Sequence, residues 1–204
     1  MGATNDNQAI NELLADIAQQ GDTLGEPGAV VTLEYFGDLE CPFCRDFSLE
    51  VLPSIIRRWV RSGKLRIEYR ALQTATRDPE VFVAQQVAAL AAGKQDKAWH
   101  FVETFYAEQG EEGSGYVTES YLAGIASQIR RLDLGRWATD RKDPELAKKI
   151  ANDEAAASNA GLTGTPSFLL GASGGAMRTF SPTDATSFDA AIEGLAGASR
   201  APRS

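Results

Sequence analysis

Histidine and cysteine are nearly missing from this 204-residue chain, which has one His and two Cys. With so few soft donors a zinc site is excluded in practice, because carboxylates would have to complete any ligand set begun by His100, Cys41 and Cys44. Positive charge is also in deficit: 20 Lys and Arg against 28 Asp and Glu leave a net charge of −8. That balance argues against nucleic acid or an anionic lipid surface as a partner. No apolar run approaches the ~20 residues of a transmembrane helix, so no membrane insertion is expected. Met1 to Asn7 has neither the basic region nor the apolar core of an export signal. Internal repeats are absent. Gly171-Ala-Ser-Gly-Gly175 follows a strand pattern without a phosphate-binding fingerprint and reads as a hairpin-like loop.

What the chain does contain is concentrated in Cys41-Pro42-Phe43-Cys44. The pair follows an apolar run, Val30 to Phe36, and an acidic loop, Gly37-Asp38-Leu39-Glu40. It precedes Phe47, Val51, Leu52, Ile55, Ile56, Trp59 and Val60, spaced as one helix face. A strand, a loop and a helix opening on C-x-x-C is the setting of a redox dithiol. Pro42 suits the first helical position, which needs no N–H, so Cys41 falls at the N-cap and Cys44 in the first turn. There the Cys41 thiolate is stabilised by unsatisfied N–H groups and its pKa is lowered. Cys44, one turn deeper, is the less exposed resolving thiol. A purely structural disulfide is the weaker reading, since so small a loop restrains the unfolded chain little. Two inert core thiols would leave Pro42 without a purpose. Asp38 and Glu40 are expected as exposed loop acids whose charge opposes ionisation of Cys41.

An N-terminal helix with Ile10, Leu13, Leu14 and Ile17 on one face is expected to end near Gly21, with a linker to residue 26. Leu65 to Arg70 alternates as a strand. From Asp78 to Asn159 the stripes Val81/Val87/Leu90, Trp99/Val102/Phe105, Tyr121/Ile125/Ile129 and Leu146/Ile150 mark successive amphipathic helices, with starts at Thr118 and Asp143. Strand pattern returns at Ser167 to Leu170 and, weakly, at Arg178 to Phe180. A last helix spans about Thr183 to Leu195, and residues 198–204 are expected to be a disordered tail. The fold class is therefore α/β: β-α-β, a helical block, then β-β-α. His100 and the tryptophans read as structural.

Leu33-Glu-Tyr-Phe-Gly-Asp-Leu-Glu-Cys-Pro-Phe-Cys44 and Gly161-Leu-Thr-Gly-Thr-Pro-Ser-Phe168 resemble the DsbA-like group of thioredoxin-fold thiol–disulfide oxidoreductases over residues 27–197. The resemblance implies a thioredoxin-fold domain (27–77 and 160–197) interrupted by an all-α subdomain (78–159). It implies Cys41 as nucleophile, a cis Thr165–Pro166 bond facing it, and protein substrates bound along the Thr165 backbone. It further implies no cofactor beyond the Cys41–Cys44 disulfide, a redox partner that resets it, and an extracytoplasmic address, with a cytoplasmic one as the alternative. Many thioredoxin-like proteins carry a buried acid six positions before the nucleophile; here Tyr35 stands there and Glu34 is one residue early. Glu34 can serve as proton relay for Cys44 only if a bulge restores its face. Strongly oxidising members carry His where this chain has Phe43, so an intermediate redox potential is expected. Two other classes stay open: a glutathione-linked isomerase or transferase of related architecture, and a non-catalytic peptide-binding or chaperone module.

Overall fold

The structure, a computed structural model, describes residues 2–182 and 184–198. In chain order, α1 (Gly2–Leu14), β1 (Gln19–Gln20), β2 (Thr23–Leu24) and β3 (Val31–Gly37) lead to a long helical run, α2. That run joins α-helical Pro42–Asp46, π-helical Phe47–Val51, α-helical Leu52–Ile55 and π-helical Ile56–Val60 without a break. After β4 (Leu65–Ala71) come α3 (Pro79–Gly93), α4 (Ala98–Ala107), α5 (Glu119–Ser127), α6 (Leu134–Asp140) and α7 (Pro144–Asn159). β5 (Ser167–Ala172), β6 (Arg178–Phe180) and α8 (Ala185–Ala198) follow.

The sheet order is β1-β2-β4-β3-β5-β6, with β3 parallel to β4 and antiparallel to β5. β3 is the central strand, covered on both faces, and its sequence is accordingly a nearly continuous apolar run. β4 has one face in the main core (Leu65, Ile67, Tyr69, Ala71) and one half-buried charged face, hence its period of two. On one side of the sheet Leu33, Tyr35 and Ile67 join α2, α4 and α8 in the main core. On the other, Phe36, Leu72 and Leu169 pack against Ala157 of α7. Among the described residues no helix is long and apolar enough to cross a membrane.

Helix starts follow local chemistry. Asp78, Thr118, Asp133 and Asp143 each accept a backbone N–H of the first turn they cap. Within α2, Pro53 has no N–H to give, and the turn before it widens so that the Leu52 N–H reaches Phe47 O. Three features depart from expectation. α1 stops at Leu14, and Asp16 at φ 58° turns the chain away, so Ile17 lies outside the helix. β1 and β2 form a short hairpin where only a linker was expected, because two-residue strands leave no periodicity. α6, around Trp137, is a separate helix. Thr183, expected at the start of the last helix, and residues 199–204 of the expected tail lie outside the described residues.

Candidate active site

β3 ends at Gly37 and delivers the chain to Cys41, the N-cap of α2 (φ −73°, ψ 120°), with Pro42 as the first helical residue. Both cysteines are free thiols, Cys41 4% exposed and Cys44 0%. Cys41 is thus more enclosed than its position at a helix start led us to expect. The Thr165–Pro166 peptide is cis, and Thr165 O lies 3.4 Å from Cys41 Sγ as acceptor of the thiol. The pKa of Cys41 is lowered to about 6. A hydrogen bond from the Cys44 thiol is the largest cause; burial opposes it, while the Thr165 side chain and the N–H groups of Cys44 and Phe43 assist. Burial, with the neighbouring Cys41 sulfur, pushes Cys44 well above the ordinary thiol range. One sulfur is ready to ionise and its neighbour keeps its proton. Phe43 between them is 70% exposed.

The acids sit elsewhere than expected. Glu34 does not approach Cys44. β3 pairs without a bulge on either side, so the one-residue offset from Tyr35 holds and Glu34 faces outward, 3.0 Å from the Arg70 guanidinium. Arg70 also meets Asp153 of α7 at 3.0 Å, so Glu34 belongs to an ion-pair network behind the sheet. Asp38 is fully buried, not an exposed loop acid. One of its oxygens accepts the N–H groups of Thr74, Ala75 and Thr76 at 2.8, 2.8 and 2.9 Å, and the other takes Glu40 N–H and the Thr76 hydroxyl. Glu40 is buried too, and loss of solvent, with the neighbouring Asp38 charge, raises its pKa against the opposing influence of the Thr76 side chain.

Sequence reasoning missed two contributors. Gln109, just beyond α4, donates its amide to Leu39 O (2.7 Å) and Cys41 O (3.1 Å), fastening the active-site loop to the helical block. Thr74 meets Thr165 hydroxyl to hydroxyl. Only the burial pattern of a folded chain brings these distant positions together, so no local signal marked them. His100 is apart from the site, beside Gln19, with its pKa lowered to about 4 by burial and then by Lys97.

The family model described as thioredoxin matches residues 18–193. The chain belongs to the thioredoxin family. Within it, the fold is that of the DsbA-like disulfide oxidoreductases. A probable disulfide bond formation protein D of Bacillus anthracis is 27% identical over 161 residues, spanning 78% of this chain and 73% of that protein. The oxidised BdbD structure from Bacillus subtilis superposes with a TM-score of 0.74 at 18% identity, over 89% of this chain and 99% of that one. DsbA2 of Pseudomonas aeruginosa gives 0.67 at 25% identity, over 87% and 95%.

Proposed function

We propose that this disulfide oxidoreductase works as a thiol oxidase, introducing disulfides into protein substrates through Cys41 and Cys44. The observation that carries this reading is the unequal proton affinity of two adjacent thiols, Cys41 near 6 and Cys44 far above it. A substrate thiolate attacks Cys41 Sγ of the disulfide, the S–S bond breaks, and its electron pair leaves on Cys44. A second substrate thiolate then attacks the substrate sulfur of the mixed disulfide and expels Cys41 as thiolate. Stabilising that thiolate stabilises the reduced enzyme and makes the disulfide the better oxidant. Cys41 is less acidic than the DsbA nucleophile (about 3.5) and more acidic than that of thioredoxin (about 7), which supports an intermediate potential. Phe43 brings no charge to the thiolate and offers an exposed apolar contact to unfolded substrate. Thr165, beside Cys41, supplies the strand edge along which an extended substrate pairs.

Each turnover leaves a dithiol, so a redox partner must take two electrons back. The names of the Bacillus relatives, disulfide bond formation proteins, support the oxidising direction, and disulfide formation in turn suits an extracytoplasmic place of work. Equilibration in glutathione redox buffers tests the reading. The midpoint should fall between about −120 and −270 mV, and Cys41→Ser should abolish oxidation of a reduced substrate protein. A midpoint more reducing than thioredoxin's would overturn the oxidase assignment.

A further inference from the structure

Three carbonyls of the turn that carries the nucleophile point at the helical block. Asp38 O closes the turn by accepting the Cys41 N–H at 3.0 Å and also receives the Tyr106 hydroxyl at 3.3 Å. Leu39 O and Cys41 O receive the Gln109 amide, at 2.7 and 3.1 Å. A carbonyl can only accept, so the amide nitrogen of Gln109, and not its oxygen, faces the turn. Its two N–H groups diverge, one for each carbonyl; a hydroxyl has one proton to give and a carboxylate none. The start of the turn is held a second time, by the Asp38 carboxylate through residues 74–76. Its end is not. Among the described residues Leu39 O has no other donor, and Cys41 O has only the Arg45 N–H of the first helical turn, at 3.1 Å. Gln109 is itself braced on both sides. Glu108 O, just before it, accepts the Tyr121 hydroxyl at 3.0 Å, and a Cβ on Gly110, just after it, would stand 2.7 Å from the Tyr116 ring. The two rings meet edge to face at 5.0 Å, so the amide is presented from a rigid base.

We propose that Gln109 is a positioning residue for Cys41: by holding the Leu39 and Cys41 carbonyls, it keeps the nucleophile's sulfur over the free N–H groups that open α2 and against Thr165 O. The carbonyl and the side chain of Cys41 branch from one Cα, so an anchor on the carbonyl limits where the sulfur can point. The thiolate gains from the N–H groups of Cys44 and Phe43 only while it lies over them. Charge on this sulfur is what exchange turns on, since Cys41 is the thiolate of the reduced protein and the leaving group when the mixed disulfide opens. An anchor that stays outside the reacting atoms serves each of these states without moving. Through it the helical block bears directly on the redox centre.

The inference rests on the redox reading of Cys41 and Cys44, and the test separates the two. Thiolate absorbance against pH reads Cys41 in the reduced protein, and equilibration with glutathione at pH 7 reads the couple. Gln109→Met keeps the length of the side chain and removes both donors. The Cys41 pKa should then rise from about 6 to about 7, as a thiolate does when hydrogen bonds to its charged form are lost. The glutathione equilibrium should move about fivefold toward the protein disulfide, because the reduced form loses that stabilisation. Gln95→Met is the control. Gln95 fastens Asp133 by bonds of the same kind, 3.1 and 2.9 Å long, at the opposite end of α4. Its loss loosens the helical block without reaching the turn and should leave both readings unchanged. Gln109→Asn keeps the amide but falls a methylene short of its two acceptors, and should move both readings in the same direction as Gln109→Met. An unchanged or lower Cys41 pKa in Gln109→Met would overturn the role of Gln109, as would an equal rise in Gln95→Met. If Gln109→Met did not fold, an unchanged or lower value in Gln109→Asn would do so alone. Failure of the unsubstituted protein to form a Cys41–Cys44 disulfide at any glutathione ratio would instead strike the redox reading.

Discussion

With a pKa of about 6, Cys41 is mostly thiolate at pH 7, and Cys44 is not. Because the folded value lies below the ~8.5 of an unfolded thiol, ionisation favours the folded reduced protein above about pH 8.5. That contribution is lost as pH falls through 6. A tenfold change in acidity corresponds to about 1.4 kcal/mol, so the reduced form should lose on the order of 3 kcal/mol across this window relative to the oxidised form. The oxidised form, with no Cys41 thiol, is the internal control for every other titrating group. Denaturant midpoints of both forms from pH 5 to 9 check this, and parallel curves would contradict it. At this scale the sequence was most legible for the cysteines, because helix capping is local. It was least legible for the acids: whether Asp38 and Glu40 meet water depends on loop 74–76, which no neighbouring residue announces.

Between elements, the contact of α2 with α4 carries a titrating group of its own. Glu103 is buried and its pKa is raised to about 8, by loss of solvent against the opposing help of Ser48. Ser48 Oγ stands 2.9 and 2.8 Å from the two carboxyl oxygens. One serine proton cannot serve both, so the neutral acid, donating from one oxygen and accepting at the other, satisfies the pair. A folded pKa above the unfolded value gives stability below about pH 4.3 that is lost as pH rises through 8. Glu103→Gln, an uncharged stand-in for that acid, should therefore stabilise the protein at pH 7.5 by about 1–3 kcal/mol and flatten the loss between pH 4.5 and 8. Chemical denaturation of both proteins measures it; lower stability of the variant at pH 7.5 would mean that the carboxylate is what the site requires. Elements themselves were readable wherever periodicity exceeded two turns, as in α3, α4 and α7. The π-helical turns of α2 were not, although Pro53 was the residue that could have signalled them.

The whole molecule converges on one carboxylate. Asp38 gathers donors from Glu40 and from Thr74, Ala75 and Thr76. Thr74 then touches Thr165, and Thr165 touches Cys41. Three loops far apart in sequence are set against one another through these contacts, so the geometry around the sulfur is a property of the assembled fold. Removing the acceptor leaves buried N–H groups unpaired, and Asp38→Ala should cost about 3–5 kcal/mol. It should also free Thr165 from where it aids the Cys41 thiolate, which raises the Cys41 pKa, while loss of the Asp38 charge lowers it. Thr74→Ala separates the two effects. It removes the hydroxyl contact to Thr165 but keeps the Asp38 charge and the Thr74 N–H on it, so the Cys41 pKa should rise, with a stability loss of only about 1 kcal/mol. Thiolate absorbance against pH, with denaturant melts of the same samples, measures both quantities. An unchanged Cys41 pKa in Thr74→Ala would show that Thr165 needs no support from this network, and would confine Thr74 to holding the loops.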